Sequence, residues 1–492
     1  MQKAIVIGSG FAGLAAASFL ARDGWDVTVL EKHPIPGGRA RKMEVDGFTF
    51  DMGPSWYWMP DIFERYFNQF GKKVKDYYTI QRLDPSYRVY FEEDEAVDIP
   101  ADYDALKQLF EKLEPGSGAQ LDRFMEEAAY KYKVGINKLV FKPGQSFSEY
   151  IDLDLAKGIF RLDVFNSVSN HVRKHFKDSR LRELMEFPVL FLGALPQQIP
   201  ALYSLMNYAD IQLGTWYPVG GMYRIVEGMH QLATELGVKF EFNQEVTSLK
   251  IENNKVTGVV TATTEHMADV VISGADYHHT ETALLPQQYR SYTDKYWDER
   301  VMAPSCLLYY VGLNKRLKNV LHHTLFFDTD FGRHGHEIYT SPRWPADPLF
   351  YVSRTTATDL SGAPEGCDNL FFLIPVAAGL NGDDEKLRDE YFQAMMARFE
   401  HRIGQNVTDH IIYQKSYSVS DFKEDYHAFK GNAYGLANTL MQTAVLKPSC
   451  RSKKLSNLFY TGQLTVPGPG VPPSLISGEV VATEVNKFIK GK

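Results

Sequence analysis

The chain has 492 residues, 44% of them hydrophobic and 23% charged, and a formal net charge of −8. That length exceeds one compact core and predicts two or three interlocking domains, and an acidic chain without a Lys/Arg block excludes nucleic acid as a partner. Three scattered cysteines, Cys306, Cys367 and Cys450, exclude a CxxC redox pair and a cysteine-based metal centre and fit a reducing cytoplasm.

Ala4–Ile7 reads as a buried parallel strand. In the following Gly8-Ser9-Gly10-Phe11-Ala12-Gly13, Gly8 serves a sharp turn, Gly10 a close approach to a pyrophosphate, and Gly13 tight packing of the next helix on the strand. The helix starting there aims its N-terminal amides at the phosphates. Gly24 ends it, and Trp25–Leu30 is the second strand. Glu31 closes that strand, where a carboxylate accepts hydrogen bonds from a ribose 2′-hydroxyl and repels a 2′-phosphate. Together these residues predict a bound adenine dinucleotide other than NADP. The uncharged stretch 4–21 is thereby a strand–turn–helix, not a signal peptide, and no other stretch is apolar and long enough to span a bilayer.

Gly37-Gly38-Arg39 follows, and Gly47–Asp51 predicts a short strand entering a tight turn at Gly53-Pro54-Ser55. The cluster Trp56-Tyr57-Trp58-Met59 comes next; it reads equally as core packing or, with Trp216, as the wall of an apolar channel. Helices are expected over Asp61–Phe70 and Asp102–Leu113, with Asp61 and Asp102 as N-caps, and strands over Arg88–Phe91 and Ala96–Ile99. Residues 117–185 read mostly helical, with Leu121, Phe124, Met125, Ala128 and Tyr132 on one face. Residues 186–213 are strongly apolar but broken by proline and glycine, which suits either a buried helix pair or an element dipping into a membrane surface.

Thr215–Met222 is a second strand–turn start, followed by a helix over 222–236. Strands are expected at Gly237–Phe242, Glu245–Glu252, Lys255–Thr263 and Asp269–Ala275, then at 303–313 and 369–377. Asp383–Gly404 reads as a helix and 421–446 as irregular. Leu458–Gly462 is the last strand, Thr465–Pro473 a rigid loop, and Ser474–Ile489 the last helix.

The whole chain resembles the bacterial-type phytoene desaturases, FAD-dependent carotenoid desaturases of the amine-oxidase-like superfamily. The resembling pieces are Gly8–Gly13 with Glu31, Gly37-Gly38-Arg39-Ala40, Gly47–Pro54, Trp216–Gly221 and Gly462–Pro472. The resemblance implies an α/β fold whose Rossmann-type FAD-binding domain is built from both chain ends (1–60, 215–280, 455–492). It further implies a mixed α+β substrate domain (61–115 and 300–454) and a helical, membrane-associating subdomain (116–214). FAD would be held without a covalent bond by Gly8, Ser9, Gly10, Phe11, Ala12, Gly13, Glu31, Lys32, Gly38, Arg39, Gly53, Pro54, Ser55, Gly462, Val471, Pro472 and Ser474, and through the backbone of Val246 at the adenine.

The implied reaction is desaturation of a long acyclic carotenoid, phytoene toward lycopene, by hydride transfer to the flavin and loss of a neighbouring proton. A later-pathway desaturase such as a hydroxycarotenoid 3,4-desaturase is the nearest alternative; a flavin amine oxidase or a non-catalytic carrier is more distant. A hydrocarbon has no polar handle, so specificity would come from tunnel shape, and no catalytic residue is assigned. His171, His175 and Asp210 read as surface or structural groups. The absence of a second GxGxxG leaves quinone or oxygen as the electron acceptor. No metal is expected, and a lipid-dissolved substrate implies a cytoplasmic protein peripheral on a membrane.

Overall fold

The computed structural model describes residues 1–92, 96–150 and 162–491. The part of the helical expectation that falls on 151–161 therefore lies outside the described residues.

A five-stranded parallel sheet is ordered Leu458–Tyr460, Val270–Ser273, Lys3–Ile7, Asp26–Leu30, Lys239–Glu241. After the exposed Lys3 its central strand is apolar and buried, as in a sheet covered on both faces. Helix Phe11–Arg22 lies against the C-terminal helix Val471–Lys490, so the two ends of the chain form one unit. Their contact is close: a Cβ on Gly478 would stand 2.5 Å from the Ala12 carbonyl oxygen. The C-terminal helix starts three residues before the expected Ser474. Pro472 and Pro473 fit its first turn, where a helix needs no backbone N–H.

A seven-stranded sheet runs Ile411–Tyr417, Ser305–Leu313, Asp368–Val376, Phe350–Ser353, His323–Phe327, Tyr87–Phe91, Ala96–Ile99. Strand Ser305–Leu313 is buried at every position. Alternation divides its side chains: Leu307, Tyr309 and Val311 pack with Phe392, Met395 and Phe399 of helix Glu385–Ile403, while Cys306, Leu308 and Tyr310 face the other way. Strands His323–Phe327 and Phe350–Ser353 and helix Phe331–Tyr339 were not anticipated. Neither was helix Val419–Tyr426, which runs into the stretch expected to be irregular and at whose start the Asp421 carboxylate accepts the Ser418 N–H at 2.7 Å.

Two further expectations are corrected. Asp61 is not an N-cap: Met59 holds that place, Pro60 opens the helix, and the Asp61 carboxylate accepts the Tyr132 hydroxyl instead. Asp102 does cap its helix, accepting from the Ala105 N–H. Segment 186–213 is not a membrane-dipping surface: Phe187, Val189, Leu192, Ala194, Ile199, Ala201, Leu205 and Ala209 are all buried. Prolines 188, 196 and 200 and Gly193 break it into short turns that fold inward. Among the described residues no helix is long and apolar enough to cross a membrane.

Candidate cofactor and substrate site

One continuous cavity of about 460 Å³ begins at the first fingerprint, passes between the two chain ends and continues under the seven-stranded sheet. Its polar end is built by backbone. Gly8 turns at φ +90°, and a Cβ on Gly13 would lie 2.0 Å from the Gly8 carbonyl oxygen, so both glycines are dictated by the turn itself. Gly10 differs. Its φ is −69°, which any residue adopts, and a Cβ there would meet no protein atom within 4 Å. It would instead project into the cavity that Gly10 lines. The helix that follows has no side-chain cap, so its first amides are free for a ligand. The C-terminal helix, also without a side-chain cap, brings Val471, Pro472 and Ser474 to the same cavity.

Glu31 is buried at the rim of the cradle. One of its oxygens accepts from the Ser9 N–H (2.8 Å) and hydroxyl (2.6 Å), and the other from the His33 N–H (2.9 Å). Lys32 donates to the Glu424 carbonyl at 3.1 Å. Arg39 lines the cavity with its Nε unpartnered, while its Nη2 donates to the Asn432 carbonyl at 3.3 Å. Burial pulls its pKa below the usual guanidinium value, partly offset by Asp276. An unpartnered buried guanidinium N–H, the uncapped start of the first helix and a glycine that leaves its side-chain space open together suit a ligand carrying a pyrophosphate. The residues therefore fit FAD. Phe11, Ala12, Gly38, Gly53, Pro54, Ser55, Val246 and Gly462 all line the cavity. Sequence reading missed Asp276, Asp425, Tyr426 and His427, which also line it. The last three sit on or just after the unforeseen helix Val419–Tyr426, whose signal was the Ser418-x-x-Asp421 spacing.

The far part of the cavity is apolar. Leu308, Leu325, Phe327, Ile338, Leu349 and Leu373 line it, as do Trp56 and Trp58. Trp56 stacks on His323 with ring centres 4.1 Å apart. Tyr57 and Trp216 are not part of the wall, which corrects the expected channel set. In an extended segment alternate side chains oppose each other, so Tyr57 points away from Trp56 and Trp58. It stacks on Phe63 at 4.5 Å and shares a hydrogen bond with Tyr78. Trp216 pairs with the Tyr57 backbone and donates its indole N–H to the Leu213 carbonyl.

The titratable groups facing this wall are uncharged at neutral pH. His334 accepts from the Leu349 N–H at Nδ1 (3.1 Å) and so donates from Nε2 to the Pro375 carbonyl (2.9 Å). Burial holds its pKa down at about 4. Burial pushes the Cys306 thiol up to about 12. With both its nitrogens engaged, His334 is not a free base. His171 and His175 lie elsewhere, beside Glu127 and outside the cavity.

Asp210 acts through others. Its carboxylate accepts from the Tyr87 hydroxyl (2.8 Å) and from Thr215 (3.2 Å), whose oxygen accepts the Trp58 indole N–H (2.9 Å). Burial raises its pKa from 3.8 to about 7. The folded state thus holds this proton more tightly than the unfolded chain, and stability falls as pH rises from about 4 to about 7. Asp210→Asn should flatten that part of the stability–pH curve. Thermal unfolding of both proteins between pH 4 and 8 checks this; parallel curves would contradict it.

Comparison with known proteins places these features in context. Residues 11–486 match the family model described as flavin containing amine oxidoreductase. A carotenoid 3,4-desaturase of Haloarcula japonica is 42% identical, covering 98% of this chain and 97% of the relative. A zeta-carotene-forming phytoene desaturase of Myxococcus xanthus is 32% identical, covering 98% of this chain and 93% of its own. Among solved structures, wild-type putrescine oxidase bound to putrescine superposes with a TM-score of 0.65 over 99% of both chains at 13% identity, a likeness of fold alone.

Proposed function

Because the chain belongs to the flavin-containing amine oxidoreductase family, we propose that it is an FAD-dependent carotenoid desaturase acting on a long acyclic polyene of the phytoene type. The observation that carries this reading is the single cavity joining a dinucleotide cradle to an uncharged apolar wall. FAD, when bound, supplies the hydride-accepting chemistry. The chain supplies the rest. The start of the first helix and Arg39 would hold the pyrophosphate, with Val471, Pro472 and Ser474 closing the cradle from the other chain end. The wall excludes water and orients a hydrocarbon by shape, with Trp56 braced by His323 and Trp58 by Thr215 and Asp210. His334 and Cys306, both neutral, keep charge away from the channel.

A second reading, desaturation of a hydroxylated acyclic carotene at the 3,4 position, is favoured by the 42% identity to the Haloarcula japonica enzyme. Presenting phytoene and a hydroxylated acyclic carotene separately in vesicles distinguishes the two. The primary reading predicts conjugated products from phytoene; conversion of the hydroxylated substrate alone would replace it with the second. Quinone or oxygen is the proposed acceptor of the electrons, and a lipid-dissolved substrate places the enzyme against a membrane.

Two properties of the cradle follow. Arg39→Ala removes charge-assisted hydrogen bonds worth about 1.5–3 kcal/mol each, so FAD affinity should fall about 10- to 100-fold by flavin-fluorescence titration. An unchanged dissociation constant would remove Arg39 from the cradle. The flavin should also be released whole when the protein is precipitated with acid, because no cysteine lies in the loop Gly462–Ser474. Flavin remaining with the pellet would contradict non-covalent binding.

A further inference from the structure

The segment 190–206 has two sides. Leu190, Leu192 and Met206 line the apolar end of the cavity. On the other side, loop 437–446 is fastened to it. Asn438 donates its N–H to the Leu192 carbonyl at 2.9 Å, a Cβ on Gly193 would stand 3.2 Å from Ala437 Cα, and the Tyr203 and Thr443 hydroxyls are 3.2 Å apart. That loop exposes Leu440 (43%), Met441 (71%) and Leu446 (40%). Val301 (44% exposed) is tied to it through both side-chain groups of Gln442, at 2.9 and 2.8 Å. Phe147 (70% exposed) follows Gly144, where a Cβ would come within 3.0 Å of the Ala444 carbonyl oxygen. Residues 440–446 carry no charge. Five exposed large apolar side chains are thus carried by segments fastened to one another and to the segment that lines the apolar end of the channel.

We propose that the loop 440–446, with Phe147 and Val301, is the face by which the protein inserts into the surface of a lipid bilayer, next to the apolar end of its channel. A lipid surface, and not a protein, is the occupant because an uncharged, apolar channel takes a ligand that water does not deliver; in this respect the inference rests on the desaturase reading. Residues 440–446 offer no charge to an anionic lipid, so attachment comes from apolar insertion, persists on zwitterionic vesicles and resists salt.

Flotation of the FAD-loaded protein with phosphatidylcholine vesicles, at low and high salt, tests this. The wild type should float equally at both salts. Leu440→Glu with Met441→Glu should lower the partition coefficient about a hundredfold. Met267→Glu with Ile412→Glu, exposed apolar positions outside the patch, should float as the wild type does. Flavin content and turnover of a carotenoid in detergent micelles should be the same in all three proteins, which separates attachment from folding. Flotation of the patch variant at wild-type levels would overturn the proposal, as would a wild type that does not float. So would a dimer on size exclusion that the patch variant loses, with no flotation, which would make a second copy the occupant. If the wild type converts no carotenoid in micelles, the desaturase reading fails while flotation still decides the docking face.

Discussion

Gly10→Val should give a folded protein that purifies without flavin, whereas Gly13→Val should give no soluble protein. The two positions lie three residues apart in one motif, yet different neighbours dictate them. At Gly13 a Cβ would sit 2.0 Å from the Gly8 carbonyl oxygen, and Gly8 is itself pinned by its N–H bond to Leu30 at 2.8 Å. Relief requires parting the first helix from the central strand, at a cost of about 4–5 kcal/mol or more against a total stability of about 5–15 kcal/mol. At Gly10 the backbone is already in a region open to valine and no protein atom is in the way. The valine side chain would instead fill the space proposed for the pyrophosphate and should lower FAD affinity by a factor of about 1,000 or more. Far-ultraviolet circular dichroism and the ratio of flavin to protein absorbance separate the outcomes. A flavin-loaded Gly10→Val protein would show that nothing binds there.

The second large effect is expected at Asp368, the first residue of the strand that carries Leu373 and Pro375 of the cavity wall. Its fully buried carboxylate accepts from the Leu317 N–H (2.6 Å), Arg354 Nε (2.9 Å) and the Thr356 hydroxyl (2.7 Å). Asp368→Ala would strand three donors, one of them on a guanidinium that is only 8% exposed. Removing one partner of such a pair costs about 3–5 kcal/mol, because the remaining charge stays buried. Asp368→Asn keeps an acceptor oxygen and should fall between wild type and alanine. Thermal unfolding followed by near-ultraviolet dichroism gives the order; an alanine variant as stable as wild type would show that the pair contributes nothing.

Why some of this could be read from the sequence, and some not, has physical causes. The cradle was legible because its constraints are local: a turn fixes Gly8, a packing distance fixes Gly13, and a strand end places Glu31. The distant half, Gly462 to Ser474, was placed at the cradle by the family resemblance; its prolines and glycines marked only a rigid loop leading into a helix. Direction was not legible. Alternation separates Tyr57 from Trp56 and Trp58, but which side meets the cavity depends on Trp216, which lies far along the chain. Helix Phe331–Tyr339 was hidden because Gly332 and Gly335 weaken its pattern, although Gly335 is where the Leu195 side chain comes close. Composition also cannot tell an apolar segment folded inward from one facing lipid. That is why 186–213 was left open between a buried and a membrane-dipping reading, while the exposed apolar loop 440–446 was passed over as irregular chain.

The central claim is that a hydrocarbon in the apolar channel delivers its electrons to FAD in the adjoining cradle. Anaerobic mixing of the FAD-loaded protein with vesicles containing phytoene tests it most directly. The expected result is bleaching of the flavin's blue absorbance in step with the appearance of a more conjugated carotenoid, one double bond per flavin. A flavin that stays oxidised with every acyclic carotenoid offered, yet is bleached by an aliphatic amine, would contradict it.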